Sequence, residues 1–359
     1  MKFRKAFFLA AQEIRNIEYL IYTLKRIMTL YDKQTLNWKE WQQLIENSAS
    51  SSWFQTPEAY DFYSSLNFLQ SFVFGVAEND KLTGIVSGFI QSEGGILRKY
   101  FSRRAIVNGG ALLSNNISDE ALKQLLTYTR HELKKQAIYI EIRNFKDFSG
   151  FKSNFEKAGF SYFPHLNFHV PTPDLETCLK NLHASKRRDI KLSQKNGVEW
   201  GLSSSKKDLE SFYSLLKNLY STKVKTPLFP VEYFERLMDR PNGRIFIAKY
   251  NDEVIGGSAC VAFDNRILYE MFVCGMDGKY KNIYPSTAAT WAAIEYAAVN
   301  GYDYFDMMGA GKPSESYGVR EFKSRFGGTL VEYGRFLCVN NVLLYRLGEF
   351  VVRMIKKQK

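Results

Sequence analysis

The chain has 359 residues, of which 45% are hydrophobic and 15% aromatic, and its formal net charge is +12. The length suits two domains better than one, and the apolar content excludes an intrinsically disordered chain. The charge favours an anionic partner, such as nucleic acid, a phosphate-bearing lipid or an acidic membrane surface. A basic globular protein without such a partner has the same balance, so charge alone does not choose.

The four cysteines are scattered through the sequence. No C-x-x-C pair occurs, which argues against a zinc site and predicts free thiols in a reducing compartment. No apolar run reaches about 18 residues, the length that a membrane-spanning helix needs. We therefore expect a cytoplasmic protein that binds no metal, with peripheral contact at the inner face of the plasma membrane as a further expectation.

Residues 1–30 form a basic N-terminal extension with six basic and two acidic residues. Its larger apolar side chains fall near one face of a predicted helix: Phe3, Phe7, Ile14, Ile17, Ile21 and Leu24. Such a helix either docks on anionic lipid or packs as a terminal helix on the following domain. Gln12, Glu13 and Arg15 interrupt the apolar stretch, so the sequence does not predict a signal peptide.

Residues 31–178 alternate helices and strands. Helices are predicted to begin at Trp38 and at Pro57, and strands follow on both sides of a polar turn. An amphipathic helix over residues 118–136 precedes a strand with clean alternation, IYIEIRN. This order indicates an α/β domain.

The same order returns in residues 201–340. The segment FVFGVAENDKLTG in the first half matches RIFIAKYNDEVIGG in the second, with Asp252 in the place of Asp80. A further strand, a helix from Ala288 and a strand near Tyr302 then follow in the same order. The repeat is one domain long and predicts a duplicated α/β domain rather than a solenoid. Chance matching of strand-turn-strand pairs is the alternative.

A basic linker helix over residues 179–200 connects the halves. Residues 180–225 contain eleven Lys or Arg and four Asp or Glu, which is +7 of the total +12. Five side chains of the linker are spaced to cover much of one helix surface and suit phosphate oxygens: Lys186, Arg187, Arg188, Lys191 and Lys195. A solvated connector helix is the alternative interpretation.

The stretch over residues 284–332 is the strongest candidate for a site. It predicts a helix over residues 288–298 and a strand over residues 302–308 that ends in a Gly-Ala-Gly segment. A lysine in an aromatic setting, FKSRFGG, follows a polar loop. Helix, strand, glycine break and lysine together favour a site at the end of the strand.

These features resemble the Fem family of peptidoglycan-bridge aminoacyltransferases. The resemblance covers residues 36–345 and rests on the two halves, the linker RRDIKLSQKNGVEW, the segment LFPVEYFERLM and the block that ends in FKSRFGGTLVEY. It implies an α/β (α+β) fold of two tandem GNAT-like, that is acyl-CoA N-acyltransferase-like, domains, each a mixed sheet flanked by helices. It also implies transfer of an amino acid from aminoacyl-tRNA to the amine of a lipid-linked or nucleotide-linked muropeptide.

Carried over by position, Lys323 and Phe322 would lie at the transfer site, and Arg187, Arg188 and Lys191 in the basic linker. A fixed cation near the developing oxyanion lowers the barrier to acyl transfer by about 3 kcal/mol, and Lys323 is the expected cation. Contact with the terminal phosphate of the tRNA is the alternative role for this lysine.

An ammonium nucleophile must lose a proton before it attacks. Asp306, Glu270 and Glu321 are the candidate bases, although each suits a strand-end or ion-pair role equally well. Four further side chains are expected to line the acceptor cleft: Tyr269, Tyr284, Tyr317 and Arg320. Ala59 departs from the family pattern, where Trp is common, and Tyr63 lies where a phosphate-holding lysine is often found. The identity of the acceptor therefore stays open.

The loops before the long helices bear on the acyl donor. Acyl-CoA-dependent members of this fold hold the pyrophosphate on exposed amides of a glycine-containing loop at a helix N-terminus. The loop GKYKNIYPSTAA has no glycine after Gly278, and SNNISDEAL has acidic residues that repel phosphate. We therefore expect aminoacyl-tRNA as the donor and no bound cofactor; a CoA thioester is the donor in the alternative.

Residues 341–359 form a C-terminal basic amphipathic helix that either contacts a membrane or packs on the second domain. Two other functions remain open. One is an acyl-CoA-dependent N-acyltransferase that acts on a sugar or peptide amine of a cell-envelope polymer. The other is a non-catalytic module that binds RNA or anionic lipid.

Overall fold

The computed structural model describes residues 28–92 and 102–357. The helix predicted within residues 1–30 lies outside this range except for its last three residues. These three belong to an edge strand, Met28–Tyr31, which pairs antiparallel with the next strand of the first sheet. Within the described residues the first sheet therefore includes residues 28–30, which the sequence analysis assigned to the N-terminal extension.

The described residues form two mixed β-sheets with helices packed against them, which confirms the predicted fold class. The strands are β1 Met28–Tyr31, β2 Leu69–Glu78, β3 Lys81–Gln91, β4 Arg104–Gly109, β5 Leu112–Leu113, β6 Tyr139–Asn144, β7 Ser161–Phe163, β8 Leu166–Pro171, β9 Val198–Leu202, β10 Gly243–Tyr250, β11 Glu253–Phe263, β12 Ile267–Gly275, β13 Tyr304–Gly309, β14 Thr329–Glu332 and β15 Arg335–Val339. The helices are α1 Trp38–Asn47, α2 Pro57–Ser64, α3 Asp119–Leu133, α4 Lys152–Lys157, α5 Leu175–Asn181, α6 Ala184–Lys195, α7 Lys206–Leu219, α8 Val231–Met238, α9 Pro285–Val299, α10 Gly318–Ser324 and α11 Val342–Lys357.

The repeat in the sequence is visible as two equivalent hairpins. In the first sheet β2 pairs with β3, and in the second β10 pairs with β11, both antiparallel. The turn residues Asn79, Asp80, Asn251 and Asp252 all have φ between 48° and 61°. Asn and Asp tolerate this left-handed conformation, and two such residues form the turn that matches the twist of a hairpin.

Each sheet takes one strand from the other half of the chain. The first sheet has the order β1-β2-β3-β4-β6-β15-β7, and the second the order β14-β8-β13-β12-β11-β10-β9. Thus β15 completes the first sheet beside β6, while β8 lies in the second sheet between β13 and β14. The division into residues 31–178 and 201–340 stays a prediction, and the strand pairing adds this exchange to it.

A shared aromatic core joins the two halves. Phe54 of the first half lies 5.2 Å from Tyr269 of the second, measured between ring centroids, and Phe62 lies 5.1 Å from Tyr233. All four side chains are fully or almost fully buried. Buried aromatic rings contribute large apolar areas, so this core fixes the two sheets relative to each other.

The parallel strands β12 and β13 separate in the middle of the second sheet. They pair only from Ile267 to Tyr269 on β12, opposite residues 304–306. Beyond that point the register of β12 with β11 skips Met271, and the register of β13 with β8 shifts before Gly309. Met308 has a φ of 55°. These irregularities open a gap between the strand ends, and bulges of this kind often lie beside active sites.

Candidate active site

Lys323 of α10 binds the end of β13, next to the gap. Its side chain is 7% exposed, and its Nζ donates hydrogen bonds to the carbonyls of Met307, Met308 (3.4 Å) and Gly309 (3.1 Å). The pairing of β13 with both neighbouring strands is interrupted at these residues. Their carbonyls need hydrogen-bond donors from elsewhere, and the Lys323 ammonium supplies them. Lys323 thereby fixes the backbone at the end of β13, as a site at the strand's end requires.

Two buried carboxylates flank this lysine. Glu270 and Asp306 are 3% and 0% exposed. Burial raises the pKa of Glu270 to about 7, although the Lys323 ammonium favours its ionised form. Burial also lowers the pKa of Lys323, and the two carboxylates oppose that shift. Neither carboxylate oxygen of Glu270 has a hydrogen-bond partner among the described residues.

Asp306 holds the turn at Met308. Its Oδ1 accepts hydrogen bonds from Asn167 Nδ2 at 2.8 Å and from the Met308 amide at 2.7 Å. Its Oδ2 lies 3.3 Å from His169 Nε2, and the His169 ring stacks on Tyr304. The carboxylate therefore positions the left-handed Met308 and fixes the side chain of Asn167.

A cleft lies in front of the gap, between the two sheets. It has two adjoining compartments, with volumes of about 190 Å³ and about 120 Å³. Both are lined by Asn108 and Arg143 of the first sheet and by Met271 and Met308 of the second. None of the sequence-predicted site residues lines either compartment. Lys323, Glu270 and Asp306 are buried next to the strand ends.

The sequence analysis did not predict the charged residues that form the polar wall of the cleft. Glu141 on β6 accepts hydrogen bonds from Arg143 Nη2 at 2.8 Å and from Arg335 Nη1 at 2.6 Å. Despite the opposing effect of burial, these two guanidiniums lower the pKa of Glu141 to about 2. The alternation in IYIEIRN places Glu141 and Arg143 on one face of β6, which was the available signal; Arg335 joins them only through the exchanged strand β15.

The linker lysines and arginines divide into two groups. Lys186 is buried: its Nζ donates to Thr287 Oγ1 at 2.7 Å and lies 4.1 Å from the centre of the Phe322 ring. Burial lowers its pKa. It therefore fastens α6 to α9 and α10 and does not share the surface of its neighbours. Arg187 is half-buried, while Arg188 and Lys191 are exposed and form a basic surface.

The remaining predicted binding residues do not line the cleft. Tyr269 is fully buried between Phe54 and Phe145. Tyr317 is 43% exposed, and Arg320 donates to the carbonyls of Ala310 (2.9 Å) and Lys312. Tyr317 therefore lies at the start of α10, and Arg320, on α10, fastens this helix to the loop that follows β13.

The backbone at the start of α9 is already hydrogen-bonded by side chains. The Ser286 amide donates to Asp277 Oδ1 at 3.1 Å, and the Tyr284 amide donates to Ser193 Oγ at 3.1 Å. Pro285 between them has no amide hydrogen. An anion at this helix N-terminus would have to displace a carboxylate that lies where the helix dipole favours negative charge.

The comparison with family models indicates the class of protein. Residues 180–324 match the model of the acetyltransferase (GNAT) domain. No curated protein matches the chain. Together with the two mixed sheets, the match identifies an acyltransferase with the GNAT fold.

Comparison with solved structures narrows the fold further. FemX superposes with a TM-score of 0.65 at 15% identity, covering 87% of this chain and 98% of FemX. A tandem GNAT protein from the clavulanic acid biosynthesis pathway gives 0.59 at 9% identity, covering 88% of this chain and 99% of the other. L-PGS from Bacillus licheniformis gives 0.52 at 12% identity, covering 85% and 92%. The fold is therefore that of FemX and of a tandem GNAT protein, with two GNAT-like units. Within the described residues no helix is long and apolar enough to cross a membrane.

Proposed function

We propose that the protein transfers an amino acid from aminoacyl-tRNA to the amine of a peptidoglycan precursor. The occupied N-terminus of α9 carries this proposal. Asp277 and Ser193 already bind the amides of Ser286 and Tyr284, where acyl-CoA enzymes of this fold hold the pyrophosphate. A donor held at another surface fits this arrangement better than CoA does.

The exposed side of α6 suits such a donor. Arg188 and Lys191 are exposed, and the only acidic contact of Arg188 among the described residues is its neighbour Asp189, at 3.1 Å. The Asp189 side chain is buried, but that of Arg188 stays 64% exposed beside it, so both cations can be reached by phosphates. The fold agrees with that of FemX, and the resemblance to the Fem family implies the same donor class.

The cleft supplies a place for the acceptor on the opposite side of the gap. The acceptor nitrogen attacks the carbonyl carbon of the aminoacyl ester, forming a C–N bond while the C–O bond to the ribose breaks. The proton from the nitrogen passes to the departing ribose oxygen. Met271 lies where the strand register skips a residue, so its backbone is the candidate donor to the tetrahedral oxyanion. Lys323 holds the opposite strand end in place.

The alternative is an N-acyltransferase that uses acyl-CoA. The match to the acetyltransferase (GNAT) domain and the likeness to a tandem GNAT protein favour it. In this case CoA would displace Asp277 from the Ser286 amide of α9. Binding of a CoA analogue to the purified protein, stronger in Asp277→Ala, would support this alternative.

The donor proposal predicts that the basic surface of α6 binds RNA. Arg188→Gln/Lys191→Gln is expected to weaken binding of fluorescent tRNA by about 10-fold and to make the slope of log K against log salt shallower by about 1.8. Fluorescence anisotropy over a range of salt concentrations measures both quantities.

The matched control is Lys134→Gln/Lys135→Gln, which removes two exposed charges near the end of α3. It is expected to leave the affinity and the slope close to those of the wild type. Equal weakening by both double variants would mean that tRNA responds only to total charge and would contradict a binding surface on α6.

The acceptor proposal includes contact with a membrane through α11. The exposed apolar side chains of this helix recur at helical spacing: Leu343 (80% exposed), Leu347 (51%), Phe350 (61%) and Met354 (48%). Its sequence has four basic residues and one acidic residue, so anionic lipid complements it. The N-terminal extension is also positively charged, with six basic and two acidic residues. It therefore complements the surface of α11 less well than anionic lipid does.

We expect the wild type to co-sediment with vesicles that contain anionic phosphatidylglycerol and not with neutral vesicles. Leu343→Ser/Phe350→Ser is expected to reduce this partitioning by more than about 10-fold, since each buried side chain contributes about 2 kcal/mol. Leu202→Ser/Val299→Ser, which changes two exposed apolar residues elsewhere, is the control. Unchanged sedimentation of the α11 variant would exclude this helix as the lipid contact.

A further inference from the structure

The larger compartment of the cleft carries an excess positive charge. Arg143 and Arg335 share a single carboxylate, Glu141, which their proximity keeps ionised. Burial and the nearby Arg335 lower the pKa of His165, in the same wall, to about 4. His165 is therefore neutral at neutral pH, and these four groups together have a net charge of +1.

Both arginines keep hydrogen-bond donors that Glu141 does not use. Arg143 binds Glu141 through Nε and Nη2, and Arg335 binds it through Nη1. The two side chains remain 34% and 24% exposed, and both line the compartment. A methyl group on Gly309 would lie 3.4 Å from His165 Nε2 and 3.8 Å from Arg335 Nη2. The second amino group of Arg335 thus faces the space beside Gly309.

The smaller compartment is lined largely by aromatic side chains, beside Gln91 and Asn108, and adjoins the arginines. Its lining includes five aromatic rings from both halves of the chain: Phe54, Phe89, Phe229, Tyr233 and Phe272. Arg143 and Met271 line both compartments. A ligand that fills the cleft therefore has an anionic group next to an apolar part.

We propose that Arg143 and Arg335 form an anion subsite that binds a carboxylate of the acceptor, while an apolar part of the same molecule enters the ring-lined compartment. A carboxylate carries one negative charge, which matches the single excess positive charge. A phosphate dianion would bring a second negative charge into a partly buried site beside Glu141, at a desolvation cost. The planar guanidinium group also suits the two oxygens of a carboxylate. Only the identification of the ligand as the acceptor rests on the proposed function.

The test is calorimetric titration of two peptides in the absence of any donor. The probes are Nα-acetyl-lysyl-alanyl-alanine and the same peptide with a C-terminal amide. The wild type is expected to bind the acid at least about 10-fold more tightly than the amide, as a charge-assisted hydrogen bond provides. Arg335→Gln is expected to remove this preference, and Lys123→Gln, which removes an exposed charge on α3, to keep it.

Gly309→Ala is the second variant, in case Arg335→Gln does not fold. The added methyl group meets its neighbours only at ordinary contact distances, so it narrows the subsite without disturbing the fold. It is expected to weaken binding of the acid by about 10-fold and to leave the amide unchanged. Thermal melting by circular dichroism checks that each variant is folded.

Equal affinity of the wild type for the acid and the amide, or binding of neither, overturns the subsite. A second result would also overturn it: inorganic phosphate competes with the peptide as strongly as the free acid does, and Arg335→Gln abolishes this competition. The arginine pair would then be a phosphate site. Transfer from acetyl-CoA instead of tRNA would overturn the proposed function and leave the carboxylate preference intact, so the two failures are distinguishable.

Discussion

Lys323→Ala is expected to lose transfer activity by at least about 100-fold and to unfold at a lower temperature. The substitution leaves the carbonyls of Met307, Met308 and Gly309 without their ammonium donor. It also removes the cation beside the buried Glu270 and Asp306. Breaking a buried charged cluster in this way costs about 3 to 5 kcal/mol of stability. Met308 and Gly309 line the cleft, so the loss reaches the site directly.

Transfer rates and melting temperatures of the same preparations check this prediction. Rates are measured well below the melting temperature, so that unfolding does not account for lost activity. Lys312→Ala is the matched control because Lys312 is exposed, follows the same strand and pairs only with Glu315 among the described residues. A folded Lys323→Ala protein with nearly wild-type rates would exclude any part for this lysine in transfer.

Glu141→Gln and Glu270→Gln are expected to change stability in opposite directions at pH 8. The pKa of Glu141 is lowered to about 2, so its stabilisation is present above the unfolded pKa near 4.5 and is lost as pH falls towards 2. The pKa of Glu270 is raised to about 7, so its stabilisation is present below 4.5 and is lost as pH rises through 7. Each difference corresponds to about 3 kcal/mol.

Urea unfolding of the wild type and both variants measures these effects. At pH 8 Glu141→Gln is expected to be less stable by about 3 kcal/mol, because it leaves two arginines without a counter-charge, and Glu270→Gln more stable by up to about 3 kcal/mol. At pH 5 the gain from Glu270→Gln falls below about 1 kcal/mol, because the carboxyl is then protonated in the folded state. The same sign for both variants at pH 8 would contradict the assigned environments.

Much of the fold could be predicted from the sequence because local patterns determine it. The turns at Asn79-Asp80 and Asn251-Asp252 mark equivalent hairpins, and the apolar run of α9 marks a helix that is buried on most sides. The resemblance to the Fem family, drawn from dispersed motifs, agrees with the fold of FemX.

The walls of the cleft could not be predicted because they depend on long-range pairing. Arg335 reaches Arg143 only because β15 crosses to the first sheet, and no local pattern encodes that exchange. Lys186 has the spacing of its basic neighbours, yet its side chain is buried because it packs on the Phe322 ring and donates a hydrogen bond to the Thr287 hydroxyl. The predicted roles of Lys323, Glu270 and Asp306 stay predictions, and the structure adds that all three are buried behind the strand ends.

The identity of the acyl donor is tested most directly by a transfer assay. The purified protein is mixed with a pool of labelled aminoacyl-tRNAs and a lipid-linked or nucleotide-linked muropeptide, beside a parallel reaction with labelled acetyl-CoA. Because Asp277 already binds the α9 amide that a CoA pyrophosphate would need, label is expected to move from tRNA to the muropeptide amine and not from acetyl-CoA. Label that moves only from acetyl-CoA would contradict an aminoacyl-tRNA donor.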